Sequence, residues 1–233
     1  MSRHEQYRVE LHAISVGRWP AYLRKNSGLP GPRGNLELVQ AVAEEGDQGF
    51  FDRLIATDDE YLVVCGVVGL GRLMAEGADF EPQLLGHACD QRWRVREGVA
   101  MALQRLGDAD LQRLIGLVRV WSVHPNPLVQ RAAVAAICEP RLLKAPTGAD
   151  CALTACAEAT KALVARTDDE RREPAARTLR QALGYCWSVA VAAAPASGLP
   201  MFRALADNSD PDVAWIVREN RSKARLAKLL DPR

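Results

Sequence analysis

At 233 residues, 48% hydrophobic and 25% charged, the chain carries enough apolar content to fold and too much to be disordered. Aromatics are scarce at 6%, while runs such as AVAAI and VAVAAA favour close-packed helices over β-sandwich strands. The net charge of +1 conceals an asymmetry: residues 1–89 hold 8 Lys/Arg against 13 Asp/Glu, and residues 90–233 hold 22 against 16.

A basic, Arg-rich C-terminal part suits a surface that contacts phosphates. The opening MSRHEQYRVE lacks the apolar stretch of a secretory signal. The longest uncharged apolar run, Tyr61 to Gly71, falls short of the roughly 20 residues that cross a bilayer. A soluble, cytoplasmic protein with no membrane partner is expected. Cys65, Cys89, Cys138, Cys151, Cys156 and Cys186 form no CxxC pair, so reduced thiols are expected. His87 and Cys89 could open a metal site, but no second pair follows; neither metal nor cofactor is expected.

In chain order, residues 1–34 predict an N-terminal helical cap that ends in the Gly/Pro-rich loop NSGLPGPRG (26–34). Helices are predicted near 35–45 and 47–56, with Asn35 as an N-cap and Gly46 as a stop. DDEYLVVCGVVGLGRLM (58–74) follows, ended by Gly77, then a helix near 80–88. Gly69 and Gly71 follow no strand, so they read as helix-packing residues, not as a nucleotide fingerprint. DQRWRVREGVAMALQRL (90–106) is expected to end at Gly107, and Asp108 to cap a helix over 108–122. NPLVQRAAVAAICEPRL (126–142) carries Pro127 in its first turn. KAPTGAD (144–150) then breaks regularity, before helices near 149–166, 175–192, 196–207 and, after Pro211, 211–224. The basic amphipathic tail RENRSKARLAKLLDPR (218–233) reads as a polar cap, with Arg221, Lys223 and Arg225 as secondary candidates for phosphate contact.

Several of these stretches repeat one another. Val129 matches Val95 at an offset of 34, GLGRL matches ALQRL at 33, and WIVREN (215–220) returns to WRVREG (93–98). Such spacings fit two-helix repeats, each with an apolar face that only its neighbour can cover. The expected fold is an all-α, right-handed α-solenoid of five to six HEAT-like repeats in one domain over 1–233. Regular repeats fill 35–143, an elongated region 144–207 and a capping helix 208–233. Helices near 92–105, 127–138, 175–192 and 211–224 are expected to build a concave face.

Chemistry is sought first at Trp93 and Glu97, four residues apart on one helical face. Arg131 holds the position equivalent to Glu97 one repeat later, and equivalent helices stack about 8–10 Å apart. The stretch VWSVHPNPLVQRAAVAA (120–136) resembles the HEAT-like alkylpurine DNA glycosylases, in which a Trp, a polar loop and a Gln-Arg-Ala-Ala run recur in this order. The resemblance assigns Arg131 to the DNA backbone and matches Trp93 and Glu97 to the family's Trp and Asp. It matches QALGYCW, with Tyr185 and then Trp187, to a later Trp-bearing helix.

It implies duplex DNA as partner, with Glu97 and Trp93 catalytic and Arg131, Trp121, Tyr185 and Trp187 DNA-binding; Arg94 and Arg180 join them as DNA-binding candidates, and core packing is the alternative for Tyr185 and Trp187. A purine alkylated at N3 or N7 is already cationic. The implied chemistry therefore needs only a carboxylate to stabilise charge on the sugar and place a water, aided by an indole face. The alternative is a scaffold that grips a protein segment, since Trp-x-Val-Arg-Glu occurs twice and may be repeat consensus. His124, in the loop beside Asn126, is expected at the surface.

Overall fold

The structure, a computed structural model, describes residues 1–230; the last three residues of the expected 208–233 capping helix lie outside the described residues. Every regular element among them is helical, with fifteen α-helices and two 3₁₀ turns. The chain divides into two compact units, Met1–Ala109 and Asp110–Arg233, and the division falls within the stretch read as regular repeats.

The first unit holds α1 (Arg3–His12), α2 (Trp19–Asn26), α3 (Leu36–Glu45), α4 (Gln48–Ile55), α5 (Glu60–Ala75), α6 (Glu81–Ala88) and α7 (Trp93–Ala109). Four of its helices, α1, α3, α4 and α5, start where a side chain takes up orphan N–H groups. Ser2 and Glu5 form a capping box on α1. Asn35, Asp47 and Asp59 accept first-turn N–H groups of α3, α4 and α5. The apolar run Tyr61–Gly71 is buried throughout, because α5 packs against α2, α3, α4 and α7. Close approach explains its glycines. A Cβ on Gly69 would lie 2.4 Å from the Phe51 ring, and one on Gly71 would lie 2.4 Å from the Ala102 backbone. α1 packs on α3, α3 on α5 and α5 on α7.

The second unit holds α8 (Leu111–Trp121), α9 (Pro127–Ile137), α10 (Pro146–Val164), α11 (Asp168–Arg172), α12 (Pro174–Ala193), α13 (Pro195–Ala206), α14 (Pro211–Arg221) and α15 (Ala224–Leu230). α9 packs on α12 and α12 on α14, with α10 against α9 and α12 and α13 against α12 and α14. The irregular stretch after Leu143 resolves into the long α10 and the five-residue α11.

Two expected boundaries move. Gly107 does not end its helix, since α7 runs on to Ala109 and Gly107 is buried inside it. Asp110, not Asp108, caps α8, its carboxylate accepting the Arg113 N–H. Asp108 lies within the last turn of α7, which leaves Asp110 as the residue next to the first turn of α8. Gly77 follows α5 at φ +106°, in the left-handed region that favours glycine. No helix among the described residues is long and apolar enough to cross a membrane.

Candidate functional site

The head of α7 is organised by Asp90. Its carboxylate accepts the Arg92 N–H at 2.8 Å and the Arg92 guanidinium at 2.9 and 2.7 Å, which turns the chain into the helix. The bond from Arg92 holds the Asp90 carboxyl below its usual range, against the opposing effect of partial burial. Val95, Gly98 and Val99 are buried, leaving Trp93, Arg94, Arg96 and Glu97 at the rim. Trp93 is 50% exposed. Glu97, one turn further on, is half-buried.

Arg94 lies over the Trp93 ring, 4.6 Å from its centroid. Its guanidinium donates to Glu60 Oε2 at 2.9 Å and to the Gly31 carbonyl at 3.3 Å, tying α7 to the start of α5 and to the 26–34 loop. Arg96 donates to the carbonyls of Asp90 and Gln91, at 2.6 and 2.9 Å. Both arginines therefore brace the turn. Arg94 and Glu60 also line a cleft of about 440 Å³ with Arg24, Leu29, Pro30 and Asp59, and neither Trp93 nor Glu97 reaches it. The arrangement sets a half-exposed indole one turn before a half-buried carboxylate on the same helix.

In the second unit Arg131, on α9, is only 8% exposed. Two expected DNA contacts are corrected. Trp121 is 1% exposed and Trp187 is 2% exposed. Trp187 donates to Thr160 Oγ1 at 3.1 Å and packs against Phe202, so it holds α12 to α10 and α13. Trp121 belongs to the buried face of α8. Tyr185 remains at the surface, 44% exposed, with Arg225 over its ring at 5.0 Å and donating to its hydroxyl at 2.8 Å. Arg180 lies 4.7 Å from the centroid of Trp215 and donates to Asp212 Oδ1 at 2.6 Å. His124 accepts the Asn126 N–H at 3.0 Å and so stiffens the turn before α9.

Sequence reasoning did not find the acidic partners Glu60 and Asp212, or Trp215 as a stacking surface. The echo of WRVREG in WIVREN was the available signal, since each motif Trp carries an arginine over its ring. Gly184 makes room for Trp215: a Cβ there would lie 2.8 Å from the indole. Among the described residues no three His, Cys, Asp or Glu side chains gather as a metal site would require. No protein-family model, curated protein or solved structure matches the chain.

Proposed function

We propose that this chain is a HEAT-like helical-repeat protein that binds duplex DNA and hydrolyses the N-glycosidic bond of cationic alkylated purines. Within each unit alternate helices lie side by side, α3, α5 and α7 in one and α9, α12 and α14 in the other, as stacked two-helix repeats would. The observation that carries the activity is the pair at the head of α7, an exposed indole one turn from a half-buried carboxylate.

In the proposed reaction the bond between C1′ and the purine nitrogen breaks, and its electron pair neutralises the positive ring. Glu97 stabilises the cation growing on the sugar and orients a water, whose oxygen bonds to C1′ while its proton leaves to the carboxylate or to solvent. Trp93 flanks the sugar with its π-face.

A second reading has its own observation. Arg94 stacks on Trp93 of its own helix and bonds Glu60 of α5, while Arg180 of α12 stacks on Trp215 and bonds Asp212, both of α14, so in each unit an arginine over an indole ties two helices together. Motif tryptophans and their arginines engaged in tying helix to helix favour a scaffold that grips a protein segment.

The experiment is release of 7-methylguanine and 3-methyladenine from alkylated duplex DNA by wild type, Glu97→Ala and Arg131→Ala. Release that falls in both variants supports excision. No release, with salt-sensitive binding lost in Arg131→Ala, leaves DNA binding alone. No release and no binding sinks the nucleic-acid reading in favour of the scaffold.

A further inference from the structure

We infer that Cys138 and Cys156 are a redox-sensitive pair that a hydroperoxide closes into a disulfide, locking the end of α9 to α10. The pair sits where α9, α10 and α12 pack on one another. Cys138 follows the last turn of α9 and is 6% exposed; Cys156, midway along α10, is fully buried. Their sulfurs lie 3.7 Å apart, in contact and one short step from the bonded distance of about 2.0 Å. In sequence they stand 18 residues apart, so a bond between them spans the break between the two helices, with its 3₁₀ turn Leu142–Lys144.

A third thiol makes the choice of partner specific. Cys186, on α12, is the rival within reach of Cys138, and its Sγ donates to the Val134 carbonyl at 3.6 Å. That bond holds the Cys186 sulfur against the α9 backbone, whereas Cys156 meets Cys138 sulfur to sulfur. Cys138 also has freedom to move. Its φ of −76° and ψ of 44° lie outside the helical region, so a small shift of its sulfur unwinds no turn of α9. The bond to Cys156, together with burial, holds the Cys138 thiol well above its ordinary range. Little thiolate is present at neutral pH, so the pair stays reduced until an oxidant persists.

The chemistry balances with the hydroperoxide as oxidant. The Cys138 sulfur gives its proton to water and attacks the outer peroxide oxygen. The O–O bond breaks, the departing alkoxide or hydroxide takes up a proton, and Cys138 is left as a sulfenic acid. The Cys156 sulfur then attacks the Cys138 sulfur. An S–S bond forms, the S–O bond breaks, and the departing hydroxide takes the Cys156 proton and leaves as water. Two electrons pass from the two sulfurs to the peroxide. The closed loop removes open conformations at the break between α9 and α10. Neither Trp93 nor Glu97 takes part, so excision can fail while this inference holds.

The test uses the full chain carrying Cys89→Ser, which removes the exposed thiol. It is treated with hydrogen peroxide, unfolded, labelled with N-ethylmaleimide, and read by intact mass and peptide mapping. Two fewer thiols are expected to take the label, with one peptide pair joined through Cys138 and Cys156 and released by dithiothreitol. Cys138→Ser and Cys156→Ala are each expected to abolish that pair, and Cys186→Ala to leave it. Amide exchange at the last turn of α9 is expected to slow by about tenfold on oxidation. Full labelling after peroxide, a bridge from Cys138 to Cys186, or exchange that oxidation leaves unchanged overturns the inference.

Discussion

Asn220 offers the sharpest test of how the WIVREN segment is held. It is fully buried on α14, and its side chain reaches across to α12. Nδ2 donates to the Leu183 carbonyl at 2.8 Å and to the Ile216 carbonyl at 2.7 Å, while Oδ1 accepts the Ser188 N–H at 2.7 Å. Asn220→Ala removes all three bonds. At about 1 kcal/mol net for each neutral bond, the loss is about 3 kcal/mol. For a chain of this size that lowers the midpoint of the transition in the unit carrying α14 by roughly 6–12 °C.

Asn220→Asp keeps the shape but turns a donating amide edge toward two carbonyls into a buried carboxylate. It is expected to cost more than Ala at pH 7 and to recover in part at pH 5, as protonation restores one donor. Thermal melts followed by far-ultraviolet circular dichroism at both pH values decide the matter. An Asp variant that melts with wild type at pH 7 would refute the bonding between α12 and α14.

Two further outcomes follow from the first unit. Gly71→Ala drives a methyl to 2.4 Å from the Ala102 backbone and should cost about 1–3 kcal/mol, whereas Gly98→Ala meets its neighbours at 3.6 Å and should be neutral or better; urea titration separates the two. The Asp90 carboxyl is held below its ordinary value when folded, so its contribution is full above about pH 4 and is lost as pH falls through the folded value. Asp90→Asn should therefore lower the melting temperature at pH 7, and the gap from wild type should close on acidification; a gap that stays constant to pH 2 would count against the Arg92 bond.

The helices were legible locally. A cap, an apolar stripe and a breaker lie within a few residues of one another, which is why Asn35, Pro127, Pro211 and the Tyr61–Gly71 run led to the right elements. The candidate site was only half legible. Trp93, Trp121, Tyr185 and Trp187 carry similar local signals, yet two lie at the surface and two in the core. Which face of a helix is covered depends on neighbours far away in sequence, and no spacing within one helix encodes it.

The same holds for the duplicated motif. Amino-acid order alone determined an all-helical chain with an echo of WRVREG in WIVREN. Tertiary structure decided what each copy does: Gly98 faces Val64 and Val67 of α5, while Asn220, at the same motif position, bonds α14 to α12. It also decided that Arg94 finds Glu60, and that Tyr7 meets Asn35 over a cleft. These partners stand 34 and 28 residues apart, and only the packing of whole helices brings them within hydrogen-bond reach.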